Sequence, residues 1–183
     1  MAKLISKTYA GALFELAVEE NKEDELVKEA TAILKIFEED VNFMKFMNHP
    51  QIDKEEKMKL IDSAFSGNAS DDITGFIKVI VAKDRFGQIT DIFKEFIHEI
   101  REYKGIGEAY VTTPMPLSEI QKSELTDKIL ATTSYKEIEL KCAIDESLIG
   151  GMVVRIGDRI VDSSIKRQLV NLKAQLKNIQ IKN

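Results

Sequence analysis

The side chains that most often do chemistry in proteins are few in this sequence, and their spacing matches no common catalytic pattern. The 183 residues contain two histidines, His49 and His98, and one cysteine, Cys142. Neither histidine stands in an HExxH motif or beside a CxxC pair, which are spacings typical of zinc sites. A single cysteine forms no intramolecular disulfide. We therefore expect no catalytic residue, no metal site and no cofactor.

Glycines near the C-terminus invite a second chemical interpretation, a phosphate-binding loop. Gly150-Gly151 is not followed by Gly-Lys-Ser/Thr, and the next residues have the pattern of a strand and not of a helix, so nucleotide binding is not indicated. Two glycines at the start of a strand indicate a bend or a bulge instead. Gly157-Asp158 is a glycine-first pair of the kind that a two-residue type II′ hairpin turn requires. We expect structural turns at Gly150, Gly151 and Gly157.

The composition indicates a folded chain that stays outside the bilayer. Hydrophobic residues make up 44% and charged residues 31%, which is enough apolar material for a core. No apolar run approaches the roughly 20 residues that cross a membrane. Residues 1–7 lead directly into a helical pattern without an apolar or Arg/Ser-rich leader, so we expect a cytoplasmic location.

The net charge of −5 is unevenly distributed along the chain. Residues 1–104 contain 15 Lys+Arg and 21 Asp+Glu, a net charge of −6, whereas residues 105–183 contain 11 and 10, a net charge of +1. No acidic residue follows Asp162. Nucleic acid binds to concentrated basic surfaces, so the acidic first part is a poor match for it. The basic tail is the one candidate surface for an anionic partner.

Helical periodicity dominates the first 104 residues and predicts a six-helix bundle. The helices are expected at about residues 3–20, 23–39, 41–48, 53–66, 71–84 and 87–103. Turn and capping signals, such as Asn48-His49-Pro50 and Ser66-Gly67-Asn68, separate them.

A change of pattern at Gly105 predicts a second, smaller α+β domain over residues 105–183. Its expected order is strand (108–113), helix (119–132), strand (138–144), strand (152–156), strand (159–161) and a helix that ends near residue 178. Apolar residues alternate with charged ones from Ile138 to Ile144, which is typical of a half-buried strand and places Cys142 on the inward face. The whole chain is therefore expected to be mainly α.

Two of the six predicted helices carry more apolar surface than one packing stripe needs. The first has Tyr9 and Leu13 in one stripe and Phe14 in an adjoining sector, and the fifth extends its stripe to Val79. One interpretation is that both helices are central in the bundle and buried on several sides. The other is a groove between them that binds an amphipathic helix of a partner. Periodicity leaves both open.

The last predicted helix carries apolar residues at spacings of four and three, the pattern of a coiled-coil seam. We label this helix, which follows Ser164 and ends near residue 178, α8. We call its apolar residues the α8 seam: Ile165, Leu169, Leu172, Leu176 and Ile179. All charged residues around the seam are basic. The seam is expected to cover either the sheet of its own domain or an acidic helix of a partner.

The run from Leu148 to Asp158, LIGGMVVRIGD, resembles the C-terminal signature of the delta subunit family of F-type ATP synthases, to which the mitochondrial oligomycin-sensitivity-conferring protein is related. The likeness continues through IVDSS at 160–164 and Leu169. It also includes YAGALF at 9–14 and KDRF at 83–86. The resemblance implies two domains without a catalytic site.

The resemblance further implies a peripheral-stalk connector that resists rotation of the catalytic head in a proton- or ion-translocating synthase. The first and fifth helices would bind the N-terminal helix of an α subunit, through Tyr9, Ala10, Leu13, Phe76, Val79 and Ile80. The second domain would bind the C-terminal ends of the paired b-subunit helices, through Lys166, Arg167, Lys173 and Lys177. Such a protein would lie peripherally at the cytoplasmic face of a bacterial cell membrane.

Two other classes of function fit the sequence less well. A helical RNA-binding, antitermination-like factor would need a basic face on the bundle, and the net charge of −6 argues against it. A small enzyme would require a pocket that gathers several of the scattered carboxylates with His98.

Overall fold

The chain forms two compact units, divided between Tyr103 and Lys104. We call residues 1–103 the helical unit and residues 104–183 the α+β unit. The computed structural model describes residues 2–65, 67 and 69–180, with side chains described for 4–65, 67 and 69–174. The sequence places the division one residue later, between 104 and 105.

Every element of the helical unit is a helix within the described residues. The elements are α1 (Ala2–Glu19), α2 (Glu23–Glu39), α3 (Val41–Met47), α4 (Lys54–Phe65), α5 (Asp71–Ala82), a 3-10 helix (Phe86–Gln88) and α6 (Ile89–Lys104). Helix α5 ends two residues earlier, and α6 begins two residues later, than the periodicity predicts. A turn at Asp84, whose φ of 56° cannot continue an α-helix, ends α5. Residues 86–88 then form a 3-10 helix, so α6 begins only at Ile89.

Side chains from all six helices meet in one apolar core. Phe37 of α2 is central to it, because its ring contacts those of Phe43, Phe65, Phe86 and Phe93 at centroid distances of 5.6–6.4 Å. Such aromatic pairs add to the free energy gained from burying apolar area. The core therefore links helices that are distant in sequence.

A polar contact also fixes the start of α5. The hydroxyl of Ser70 accepts a hydrogen bond from the backbone N–H of Ile73 and donates one to Glu29 of α2, over 3.4 and 2.7 Å. The backbone N–H of Ser70 donates to the same carboxylate at 3.0 Å. An N-cap of this kind stabilises a helix start, and here it also ties α5 to α2.

The α+β unit is a small mixed sheet with two helices among the described residues. Its elements are β1 (Ile106–Thr113), α7 (Glu119–Thr132), β2 (Glu137–Ile144), a 3-10 helix (Glu146–Leu148), β3 (Val153–Ile156), β4 (Arg159–Asp162) and α8 (Ile165–Gln180). The strand order is β2-β1-β3-β4, with β1 parallel to β2 and the other neighbours antiparallel. A parallel pair needs a long crossover, which α7 provides. The chain is thus mostly helical with one four-stranded sheet.

One face of the sheet packs against α7. Ala109, Val111 and Val154 of the sheet form a buried cluster with Ile129 of α7 and with Ile138. Burial then declines along β2, which is an edge strand: Leu140 is half-buried, and Cys142 and Ile144 are exposed.

The predicted burial of Cys142 is therefore wrong. The alternation of residues sets which face of the strand carries Cys142, but it does not set how far along the strand a covering helix extends. The apolar cluster with α7 is built on the first half of β2, and Cys142 lies beyond it.

Two glycines shape the β3–β4 region in the way that their sequence positions predict. Gly157 has a φ of +53° and forms, with Asp158, the two-residue connection between Ile156 and Arg159, which pair in the ladder. Gly151 has a φ of +75°, and a Cβ atom there would lie 2.3 Å from the backbone oxygen of Ser163. Gly151 is thus required both for its conformation and for close approach of two backbone segments.

Candidate docking surfaces

Helix α1 uses a narrow line of mostly small residues to enter the core. Ser6, Ala10, Leu13 and Ala17, spaced by four, three and four, are at most 5% exposed. Ala10 and Leu13, which the family resemblance assigns to partner binding, therefore fill the core and leave no surface for a partner. The sequence shows two apolar sectors on α1, and the buried residues lie along the line between these sectors.

The two flanks of α1 differ in what they contact. On one flank, Phe14 makes an edge contact with the Tyr103 ring at 5.5 Å, and Lys7 pairs with Glu95 at 3.7 Å, so this flank borders α6. At about 100° per residue, Tyr9 lies on the opposite flank. Tyr9 is half-buried, so part of its ring is available at the surface.

Helix α5 shows the same division. Ile73, Ile77, Ile80 and Val81 face the core and are at most 2% exposed. This places Ile80, another predicted contact residue, inside the unit. Val79 is 49% exposed.

The partly exposed flank of α5 carries Phe76 and Val79. Lys78, on the other flank, pairs with Asp62 of α4 at 2.5 Å. Phe76 is half-buried, and its ring lies 6.0 Å from that of Phe93. The flank that bears Phe76 and Val79 thus points away from α4.

A salt bridge connects the end of α1 to this flank of α5. Lys22, in the turn after α1, donates a hydrogen bond to Asp72 in the first turn of α5 over 2.8 Å, and it also pairs with Glu20. The hydrogen bond to Asp72 raises the pKa of Lys22 above its usual value, and the hydrogen bond to Glu20 raises it further. We call the surface residues Tyr9, Phe76 and Val79 the α1/α5 patch.

A cavity of about 450 Å³ between α1 and α6 gathers carboxylates around a histidine. Its lining residues are Lys7, Phe14, Glu95, His98, Glu99 and Glu102. This is the arrangement that the enzyme hypothesis requires. No group of three or more His, Cys, Asp or Glu side chains among the described residues could hold a metal ion, however. The cavity is an acidic groove on the helical unit.

We predict that Glu99→Gln stabilises the chain at neutral pH. Burial raises the pKa of Glu99, and the carboxylate of Glu95 raises it further, whereas Lys7 and His98 lower it. A raised pKa means that ionisation of Glu99 opposes folding, and the penalty grows as pH rises through its folded pKa. The Tm gain of the variant should be largest near pH 8 and disappear below about pH 4, where wild-type Glu99 is also neutral in the unfolded chain. An equal gain at both pH values would show that ionisation of Glu99 does not oppose folding.

On the α+β unit, α8 carries several exposed apolar side chains, as do the strands and loops of the same unit. Ile165, Leu169 and Leu172 are 41%, 54% and 55% exposed. The expectation that the α8 seam covers its own sheet is therefore wrong for these three residues. The side chains of Leu176 and Ile179 lie outside those described. We call Ile165, Leu169 and Leu172 the α8 surface.

Basic side chains lie beside the α8 surface, as expected. Lys166 donates a hydrogen bond to the hydroxyl of Ser147 over 3.0 Å, and Arg167 lies 3.7 Å from a carboxylate oxygen of Asp162. Lys173 is exposed. The fourth predicted residue, Lys177, has a side chain outside those described. At about 100° per residue, Lys166 and Lys173 follow the same flank of the α8 surface.

One surface residue is not marked by the sequence. Ile149 directly precedes Gly150-Gly151, and it is 64% exposed with a φ of +67°. Its apolar type suggested no surface position, and no sequence signal marks an isoleucine at positive φ.

No helix among the described residues is long and apolar enough to cross a membrane.

Each of the two units presents exposed apolar side chains on its helices, and the described residues contain no group that could hold a metal ion, so the surfaces are candidates for binding another protein. Comparison with known proteins identifies the family. The family model for the ATP synthase delta (OSCP) subunit matches residues 5–176. A subunit delta of ATP synthase from Lachnoclostridium phytofermentans is 46% identical over 99% of this chain and 100% of its own length. A second, from Acetivibrio thermocellus, is 32% identical over 95% of this chain and 98% of its own length.

Among solved structures, a chain of the mitochondrial ATP synthase of Toxoplasma gondii has the same fold, with a TM-score of 0.74 over 93% of this chain and 96% of its own length at 16% identity. The chain therefore belongs to the ATP synthase delta (OSCP) subunit family. It is a peripheral-stalk component of an F-type ATP synthase and is not itself catalytic. The RNA-binding alternative finds no support in these relationships.

Proposed function

We propose that this chain joins the catalytic head of the synthase to its b-subunit stalk and so resists rotation of the head. In this proposal the helical unit is a six-helix bundle that binds the N-terminal helix of an α subunit, and the α+β unit binds the C-terminal ends of the b helices. The chain then lies peripherally at the cytoplasmic face of a bacterial cell membrane. The observation that carries the proposal is the exposed α8 surface, on a helix whose charged residues are all basic.

The head contact is assigned to the α1/α5 patch. Of the six residues that the resemblance suggests, Tyr9, Phe76 and Val79 keep part of their side chains at the surface, whereas Ala10, Leu13 and Ile80 are at most 1% exposed. An amphipathic helix that covered the patch would bury apolar area, which stabilises a complex by roughly 25 cal/mol per Å². Such binding should depend little on salt, because charge pairs contribute little to it.

The stalk contact is assigned to the α8 surface. Apolar residues spaced by four and three accept the side chains of a second helix. Lys166 and Lys173 are seven residues apart on one flank, so a partner helix with acidic residues along the facing flank fits best. Charge complementarity of this kind sets orientation and association rate more than affinity.

One experiment tests the connector role as a whole. A peptide with the N-terminal helix of the α subunit and a fragment with the C-terminal helix of the b subunit, both from the same organism, are titrated together onto the full chain. We expect both to bind the same molecule, which mass photometry or analytical ultracentrifugation would detect as a ternary complex. Competition between the two ligands for one site would sink the proposal.

A charge-reversal variant tests the stalk assignment. We predict that Lys166→Glu combined with Lys173→Glu weakens binding of the b fragment by about tenfold at low salt, since two exposed ion pairs are lost and replaced by repulsion. The loss should shrink as salt is added. Lys128→Glu with Lys136→Glu, which changes the net charge equally at exposed positions near α7, serves as control and should bind normally. Equal losses in the two variants would show a general effect of charge.

A further inference from the structure

Ile149 has a backbone conformation that isoleucine rarely adopts. Its φ of 67° and ψ of −39° put it outside the regions favoured by β-branched residues. Among the described residues, Asn21 and Asp84 are the other non-glycine residues with positive φ. Asparagine and aspartate tolerate this region through their short polar side chains, and isoleucine does not. The backbone at Ile149 is therefore strained.

Burial of the Ile149 side chain does not offset this strain. The side chain is 64% exposed, whereas that of the preceding Leu148 is 7% exposed. In the two-residue sequence Leu148-Ile149, the first side chain enters the fold and the second is directed to solvent. A strained residue with an exposed apolar side chain is typical of a binding site, where strain is retained because the surrounding structure holds it.

The segment around Ile149 is fixed to the start of α8. The backbone N–H of Ile165 donates to the carbonyl oxygen of Gly150 over 3.0 Å, and the Ile165 side chain packs on Gly150 so closely that a Cβ there would lie 2.6 Å from it. Lys166 donates a hydrogen bond to Ser147 over 3.0 Å. Ile149 lies between these two anchored residues, so its backbone is held close to the first turn of α8.

We propose that Ile149 is a docking residue that extends the α8 surface beyond the N-terminal end of the helix. The occupant that fits is one amphipathic helix with acidic residues on its polar face. Its apolar residues would cover Ile149, Ile165 and Leu169, and its acidic residues would face Lys166 and Lys173. Charge supports this choice along α8, because α8 and the residues after it carry no acidic side chain. Asp145 and Glu146 precede Ile149, so the acidic residues of the partner would face α8 and not this segment. The inference rests on the proposed stalk contact and names the residue that anchors it.

Two substitutions distinguish the effect of the Ile149 side chain on binding from the effect of backbone strain on stability. Ile149→Ala removes most of the side chain but keeps a Cβ and hence the strain, whereas Ile149→Gly removes both. In the full chain, both variants should bind the b fragment about tenfold more weakly in calorimetric titrations. Ile149→Gly should in addition raise the Tm by roughly 2–6 °C, while Ile149→Ala should leave it nearly unchanged. A gain in stability with a loss in affinity is the signature expected of a strained docking residue.

A matched control comes from α7. Ile120 is 73% exposed on the helix that packs against β1 and β2, and Ile120→Ala should bind the b fragment with wild-type affinity. Wild-type affinity in Ile149→Ala, or a lower Tm in Ile149→Gly, would overturn the assignment of Ile149. Failure of the wild-type chain itself to bind the b fragment would instead overturn the proposed stalk contact, and with it this inference.

Discussion

Val79→Asp is expected to reduce binding of the α-subunit N-terminal helix to the full chain by at least about 100-fold. Val79 is 49% exposed beside the half-buried ring of Phe76, so an apolar helix seated there would bury it. An aspartate would lose that apolar contact and would place a carboxylate in an environment with little water. The measurement is a titration with a labelled α-subunit peptide at two salt concentrations.

The control for this variant is another exposed valine of the same unit. Val41 is 57% exposed at the first position of α3. Val41→Asp should bind the peptide normally, and both variants should unfold at nearly the wild-type temperature because both sites face solvent. Unchanged affinity in Val79→Asp would remove the α1/α5 patch as the head contact.

The helices could be predicted from the sequence because burial of one side of a helix places apolar residues at helical spacing. In α2, Leu26, Ala30, Ile33, Leu34 and Phe37 recur at helical spacing, and all five are buried. The end of α5 could not be predicted as well. Apolar periodicity continues up to Ala82, and the turn at Asp84 depends on its backbone and on a hydrogen bond from Lys54 over 2.6 Å. A contact between residues 30 positions apart leaves no local signal.

The docking residues could be predicted only as far as the correct helices. On α1 and α5, the sequence shows that apolar residues exceed one stripe, but it does not show which of them face the core. Leu13 and Val79 are both apolar, yet Leu13 is 1% exposed and Val79 is 49% exposed. That choice depends on where neighbouring helices lie, as with the contact of Phe14 on Tyr103.

For the α+β unit, the sequence likewise does not show whether an apolar helix face is buried within the chain. The spacing of the α8 seam predicts a helix with one apolar side, and α8 is a helix over the predicted residues. Packing of the seam on the sheet was one expectation, yet Leu169 and Leu172 are more than half exposed. Periodicity reports that a face needs a partner, and it carries no information on whether the partner belongs to the same chain.

The largest expected effect on stability is that of Gly151→Ala, which should destabilise the α+β unit by roughly 2–5 kcal/mol. The new Cβ would lie 2.3 Å from the backbone oxygen of Ser163 and 3.1 Å from the Cα of Ser164. These segments cannot simply separate, since the backbone N–H of Ser163 donates to the carbonyl of Met152 over 2.9 Å. The φ of +75° adds strain for any residue with a Cβ. For a domain of this size, a loss of that magnitude is a large part of the total stability.

Gly157→Ala is the matched control, because a Cβ at Gly157 meets no atom within 4 Å and only its φ of +53° is unfavourable. It should cost about 1 kcal/mol. Hydrogen exchange measured by segment should show faster exchange over residues 104–174 in Gly151→Ala, with the helical unit unchanged because the contacts of Gly151 lie within the α+β unit. Binding of the b fragment should then fall while the α-subunit peptide still binds. Loss of both ligands together, or equal costs at the two glycines, would contradict the prediction, because the clash at Gly151 is confined to one unit and to one of the two turns.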